Sequence, residues 1–396
     1  MSLLRTIKIG LILLCRKEFY FLIAPKRFSK NQQKDFDNET YLKAAVDWLL
    51  HANALCQGNG FAKIFSLRNG WWGPYIETTG YIIPTLYDFI AKYDYRSGEI
   101  RKALFSSGNW LLKHQFRNGA FGDSVSNQPT VTVSNQPMVF DTGQVMFGLH
   151  ALYENEKDEK FIAASKRAGD WLAAIQEKDG SWVKFTYAAA HRTYYSRVSW
   201  ALSELWRITG ENKYRDTAER QLHWVVQQQQ QNGAFKFCSF GEDTNTVLHV
   251  IAYTIEGLWR SSIVLKETKY QEAALKASKA LVEIQKRDDV LCGHYDLNWR
   301  FASRSRCLTG LAQMADIWLM MYESTGEKSF FEQAQKALRF LKGKQVLNQK
   351  LPNLYGGLLG SYPWWGEYFP WAVPNWGAKF FMDGLLREEK TQVNEK

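Results

Sequence analysis

The stretch Trp171-Leu-Ala-Ala-Ile-Gln176-Glu-Lys-Asp-Gly180-Ser-Trp182 decides the fold, because its pattern recurs along the chain. Near the end of an amphipathic helix, an apolar residue is followed five places later by a polar one, usually Gln. The pairs are Trp48/Asn53, Trp110/Gln115, Trp171/Gln176, Trp224/Gln229, Ala280/Gln285 and Phe340/Gln345, spaced 53 to 62 residues apart. Three units add a Gly-aromatic turn: Asn118-Gly119-Ala-Phe121, Asp179-Gly180-Ser-Trp182 and Asn232-Gly233-Ala-Phe235. Asn-Gly and Asp-Gly reverse the chain and stop a helix. A fixed period of this length marks a repeat architecture.

Outward from each turn, after a variable loop, lies a second and more apolar helix; examples are 142–153, 195–209, 246–265 and 307–325. Six helical hairpins without an alternating strand pattern predict an all-α fold, a single (α/α)6 toroid. The first helix of each pair would form the outer ring and the second the inner ring. An open solenoid is the structural alternative. The expected division is a basic N-terminal segment over 1–37, the toroid over 38–388 and a polar tail over 389–396. The loops after the outer helices would gather at one end and line the functional face.

Composition narrows the function. Hydrophobic residues make up 45% of the 396 residues and charged residues 23%, which excludes disorder and a polytopic membrane protein. Sixteen Trp, 19 Tyr and 24 Phe exceed what a core needs, and broad aromatic faces suit sugars. The net charge of +10 is concentrated in residues 1–34, where eight Lys and Arg face one acid, Glu18. The body is near neutral, which removes the case for nucleic acid. Five cysteines are scattered without metal or disulfide spacing, and the sequence has no Gly-rich phosphate loop and no HExxH, so no metal and no cofactor are expected.

Within the first 34 residues, the apolar runs Ile9–Cys15 and Phe19–Ala24 are too short to span a bilayer. Basic and apolar residues interleaved in this way fit a helix lying on an anionic membrane surface, here on the cytoplasmic side. A helix packed on the domain and a cleaved signal are the alternatives.

The run Arg167 to Trp182 resembles the QW repeat of terpenoid cyclases and their toroid relatives. Their Asp-x-Asp-Asp acid is missing, so the resemblance implies the fold and not the cyclase chemistry. Over roughly 41–386 the chain is similar to bacterial αα-toroid proteins of exopolysaccharide and O-antigen biosynthesis. The strings that carry this are Tyr75-Ile-Glu77-Thr-Thr-Gly80-Tyr-Ile-Ile-Pro84, Phe140-Asp141-Thr-Gly143-Gln and Gly357-Leu-Leu-Gly-Ser-Tyr-Pro-Trp-Trp-Gly-Glu-Tyr. That resemblance implies a pathway more than a reaction.

The starts of the inner helices carry the candidate chemistry. Glu77, walled by Trp71, Trp72 and Tyr75, is the expected general acid. Glu-x-x-Gly-Tyr at such a start also resembles the acid region of some αα-toroid glycoside hydrolases. Asp141, expected at the matching place in the next unit, would be the base or nucleophile. The third unit offers His191, Tyr194, Tyr195 and Arg197, a set suited to a uronic acid: Arg pairs with the carboxylate while Tyr or His moves a proton. The fourth gives Asp243, His249 and Tyr253, the fifth His294 and Arg304, and the sixth Tyr362, Trp364, Trp365 and Tyr368. Glu77, Asp141, Tyr194 and His249 are the expected catalytic groups and the others the expected binding groups.

The resulting expectation is a carbohydrate-active enzyme acting on a bacterial surface polysaccharide or its lipid-linked precursor. It would be a hydrolase, or a lyase or C5-epimerase. Its partner would be an anionic oligo- or polysaccharide, with membrane contact through 1–34. The alternative is a non-catalytic polysaccharide-binding protein using the same aromatic cavity.

Overall fold

The computed structural model describes residues 17–23, 36–122, 136–241 and 245–394. It contains a short helix α1 (Lys17–Ile23) and then six helical hairpins. The outer helices are α2 (Asn38–Leu55), α4 (Ser97–Lys113), α6 (Glu159–Ala174), α8 (Asn212–Gln227), α10 (Thr268–Asp288) and α12 (Lys328–Lys342). The inner helices are α3 (Ile76–Lys92), α5 (Val139–Glu156), α7 (Ser196–Thr209), α9 (Leu248–Leu265), α11 (Leu308–Thr325) and α13 (Asn375–Asn394). Each inner helix packs on the next, and α13 packs on both α2 and α3, so the ring is closed and the open solenoid is excluded.

The repeated Gln supplies the joints. Gln176 Nε2 donates to Gly180 O in its own turn (2.8 Å) and to Thr217 O of the next outer helix (2.9 Å). Gln115 and Gln229 do the same with Gly119 O and Ala164 O, and with Gly233 O and Ala273 O. Gln345 donates to Gly356 O and to Tyr41 O of α2, the joint that closes the ring. One amide thus bonds a carbonyl of its own turn and a carbonyl of the neighbouring outer helix, tying successive hairpins together. The turn glycine is required by space as well as conformation. Gly180 has φ +89°, and a Cβ there would sit 2.5 Å from Arg220 O.

Inner helices approach closely where a side chain is absent. A Cβ on Gly80 would meet Val145 Cα at 2.5 Å, so α3 and α5 cross backbone to backbone. Short connections at one end, such as Lys157-Asp158 between α5 and α6, contrast with long loops at the other. The long loops carry the strands of the described residues, all two or three residues long. Ile64–Ser66 pairs with Gly70–Trp71 and with Ala372–Pro374, joining the first loop to the last. Thr246–Val247, His294–Tyr295 and Phe301–Ser303 form a second small sheet, and Arg306–Cys307 pairs with Ser361–Tyr362.

One boundary differs from expectation. Helix α13 runs past 388 to Asn394, because Glu389 accepts from Tyr93 (2.7 Å) and Thr391 donates to Glu323 (2.8 Å). Of the basic N-terminal segment only α1 is described, and it packs on the long-loop face. There Phe19 stacks with Trp371 (6.3 Å between centroids), and Glu18 accepts from Asn353 (2.9 Å). The rest of the expected membrane-binding stretch lies outside the described residues. Among those described, no helix is long and apolar enough to cross a membrane.

Candidate active site

Stripes of polar and aromatic side chains face the ring axis. On α9, His249, Tyr253, Glu256 and Arg260 recur every three or four residues and so share one helix face. Around them stand Glu77, Tyr81 and Thr85 of α3, Gln313 and Asp316 of α11, and Phe380, Asp383 and Arg387 of α13. The upper part of this column, beneath the long loops, is the candidate active site.

Glu77 sits in the first turn of α3, where the helix dipole favours a carboxylate. It is 7% exposed, and Tyr75 donates its phenol proton to Glu77 Oε2 at 2.6 Å. Lys63 Nζ lies 3.6 Å from the Tyr75 ring centre. Burial, aided by the neighbouring Glu77 charge, holds the phenols of Tyr81, Tyr253 and Tyr368 well above the usual tyrosine range. Tyr368 also accepts from Trp376 Nε1 (2.8 Å).

His249 is 3% exposed and packs on Tyr253, with ring centres 4.2 Å apart. Burial drives its pKa down to about 3, so the imidazole is neutral at ordinary pH. Gln313 Oε1 lies 2.5 Å from Nδ1. With the amide oxygen as acceptor, Nδ1 carries the proton and Nε2 keeps its lone pair. Neutral His249 can therefore accept a hydroxyl proton at Nε2.

Asp141 is displaced by one residue from its expected place. Thr79 Oγ1 accepts the Phe61 N–H (3.0 Å), and Thr142 Oγ1 accepts the Phe121 N–H (2.9 Å), so these threonines are equivalent. Glu77 then matches Phe140, and Asp141 matches Thr78, about 100° around the helix. Asp141 has no exposed surface.

Arg197 is also corrected. It is 1% exposed and lies on the axis beneath Tyr253, held by Gln144 Oε1 (2.7 Å) and by an ion pair with Glu256. The rings of Tyr81, Phe147, Trp200, Tyr253 and Phe380 all lie within 5.7 Å of its guanidinium carbon. Burial opposes the charge, but Glu256 more than offsets this and raises the pKa above the usual arginine value. A guanidinium so enclosed is part of the scaffold, and a substrate carboxylate finds no exposed donor there.

Other expected residues are spread more widely. Tyr194 and Tyr195 are fully buried around Phe140, and burial raises the Tyr194 phenol well above its usual range, which suits packing and not proton abstraction. His191 stacks on Trp224 of the outer helix α8 and bonds Ser181 Oγ (3.0 Å), away from the axis. Trp71 packs against Trp48 and His51 of α2 and donates to Asn353 Oδ1 (2.9 Å), so it does not wall Glu77. Trp72 is half-buried beside it. His294 Nδ1 lies 3.3 Å from Glu367, Tyr362 lies on Phe340 of α12, and Arg304 is exposed at the rim. Trp364 lies between Trp365 and Trp371. Asp243 falls outside the described residues. Among those described, no group of three or more His, Cys, Asp and Glu side chains is gathered as a metal ion would need.

At the opposite, short-loop mouth a cavity of about 610 Å³ is lined by charges that include Asp88, Arg260, Asp316, Lys379, Asp383 and Arg387. Most are already paired: Arg260 and Arg387 with Asp316 (3.1 and 2.5 Å), and Lys379 with Asp383. This network ties α9, α11 and α13 together. The filled level of Arg197 and Glu256 lies above it.

The family signal agrees with this geometry. The sequence model of the β-L-arabinofuranosidase GH127 catalytic domain matches residues 32–288, well over half of the chain. The chain belongs to this family. That membership makes it a carbohydrate-active enzyme. No curated protein matches. Among solved structures, the unsaturated glucuronyl hydrolase of Bacillus sp. GL1 aligns with a TM-score of 0.70 at 15% identity, over 89% of this chain and 97% of that one. A sugar epimerase from a ruminal bacterium gives 0.69 at 14%, over 88% and 98%. The cellobiose 2-epimerase of Bacillus thermoamylovorans gives 0.65 at 11%, over 88% and 99%. At such identities these likenesses establish the toroid fold alone.

Proposed function

We propose that the chain is a glycoside hydrolase that removes a terminal sugar from a bacterial surface glycan or its lipid-linked precursor, with Glu77 as the proton-transferring carboxylate. The observation that carries this reading is the place of Glu77. It stands at an inner-helix start on the ring axis, hydrogen-bonded by Tyr75 and set among Tyr81, Tyr253, Tyr368 and the neutral His249. In that place its carboxyl group would protonate the departing glycosidic oxygen, and a neutral His249 Nε2 would accept a sugar hydroxyl. Arg197, Glu256 and Phe380 fill the axis below, which supports a blind pocket and attack on a chain end. The uronate lyase or C5-epimerase reading loses support, because the guanidinium it needs is already paired with Glu256.

The test is release of p-nitrophenol from a panel of p-nitrophenyl glycosides headed by the β-L-arabinofuranoside, with the anomer followed by proton NMR. Turnover of one panel member supports the proposal. Glycan binding without turnover of any of them, or of oligosaccharides ending in the same sugars, would favour the non-catalytic alternative and overturn hydrolysis.

A further inference from the structure

We infer that the long loops carry an extended glycan-binding surface, an arc of aromatic platforms formed by Phe185, Phe240, Phe301 and Trp365. This arc would hold sugar units beyond the one cleaved. The inference rests on the glycosidase reading above and deepens it: the substrate is an oligo- or polysaccharide and not a small glycoside.

Four observations converge. First, these rings are unusually exposed, at 41%, 41%, 53% and 58% respectively. Of the exposed aromatic side chains among the described residues, only Phe105 on α4 lies away from the long-loop face. Exposing so much apolar surface costs free energy in water unless something covers it.

Second, three of the rings are backed by another ring. Phe185 lies on Trp171 (5.6 Å), Phe240 on Tyr194 (5.4 Å) and Trp365 on Trp364 (4.9 Å), while Phe301 stands in a strand opposite Tyr295. A ring fixed on one face and open on the other is a stacking platform that loses little entropy on binding.

Third, the four loops pay backbone strain in aromatic residues. Phe185, Phe237, Trp299, Phe369 and Trp371 all have φ between +47° and +63°. Bulky side chains are rare in that region, and such strain gathers at ligand-binding segments.

Fourth, neighbouring loops are bonded into one collar. Arg192 donates to Gly241 O (3.1 Å), Trp299 Nε1 to Asn232 O (2.8 Å), and Arg306–Cys307 pairs with Ser361–Tyr362. The platforms therefore follow one another from the third to the sixth unit. The loops that carry the arc lie at the same end of the ring as the start of α3, so a chain lying along them would lead its end towards Glu77. The flat faces of sugar rings match such platforms, and the carbohydrate-active family of the chain supplies the ligand class.

The experiment uses the full chain and three proteins: wild type, Phe301→Ala/Trp365→Ala, and Phe105→Ala as the control outside the arc. Each is run in native gels containing soluble arabinan or an anionic bacterial exopolysaccharide. Each is also assayed on a β-linked arabinofuranosyl oligosaccharide and on p-nitrophenyl β-L-arabinofuranoside. Wild type and Phe105→Ala should be retarded in at least one polysaccharide gel, and the double variant should not. The ratio of kcat/KM on oligosaccharide to that on the small glycoside should fall roughly tenfold in the double variant. Wild-type mobility in both gels equal to that in a plain gel, or a double variant indistinguishable from wild type, would overturn the inference. If wild type hydrolyses nothing yet is retarded while the double variant is not, the arc stands and the glycosidase reading fails.

Discussion

Replacing Glu256 by leucine should destabilise the toroid far more than removing the whole ion pair. Arg197 and Glu256 have relative side-chain exposures of 1% and 4%, so neither charge can turn to water when its partner is lost. Glu256 also lies 3.4 Å from Arg260, so Glu256→Leu strips a counter-charge from two guanidinium groups. Breaking a buried pair on one side costs about 3–5 kcal/mol, whereas replacing both members by apolar residues of similar volume is often close to neutral. With about 2.1 cal/mol/K of unfolding entropy per residue, 4 kcal/mol lowers the melting point of a folded unit this size by about 5 °C. Calorimetry on wild type, Glu256→Leu, Arg197→Met and the double variant measures the coupling directly. The double variant should melt well above Glu256→Leu. Equal melting of all four proteins would refute the assignment of Arg197 to the scaffold. So would a double variant that melts like wild type but no longer binds glycan, because Arg197 would then be serving the substrate.

Two further predictions concern the joints and pH. Gly180→Ala places a methyl group 2.5 Å from Arg220 O at φ +89°, and it should lower stability by about 2–4 kcal/mol in denaturant titration, against about 1–3 for Gln176→Ala. His150 and His249 are both buried with pKa values near 3, against 6.5 unperturbed. Below pH 6.5 the unfolded chain binds protons that the folded one refuses, so stability should fall with pH at about 1.4 kcal/mol per unit for each histidine, down to about pH 3. Denaturant titrations at pH 7.5 and 5.0 check this, and His150→Gln should remove part of the slope.

The fold was legible because its signal is local and repeated. In four of the six hairpins the Gln five places after Trp or its equivalent reaches both its own turn and the next outer helix, so the same spacing recurs along the chain. Closure of the ring could be read from Phe340/Gln345, whose amide finds Tyr41. The site was legible only in part. Glu77 stands at a helix start, where sequence motifs are easy to see. Tyr81, Glu256, Gln313 and Phe380 lie inside apolar helices, where a single polar or aromatic residue reads as core. Their signal is a polar stripe at three- and four-residue spacing, clearest in His249, Tyr253, Glu256 and Arg260. The Arg197 assignment failed because a sequence shows a charge near a rim but not the carboxylate, two turns into a neighbouring helix, that already neutralises it. Trp71 and His191 failed because loop aromatics can fold outward over the outer helices as readily as inward. Asp141 missed by one residue, which on a helix changes the face.

The most direct test of the central claim is Glu77→Gln, with turnover and thermal melting followed on one preparation. The amide keeps the shape and can still accept from Tyr75, but it cannot pass a proton. Turnover should fall about 10²–10⁴-fold, while the melting point moves by no more than the loss of about 1 kcal/mol of helix-dipole stabilisation. Turnover within twofold of wild type together with a lowered melting point would show that Glu77 serves only the start of its helix, and would contradict the account.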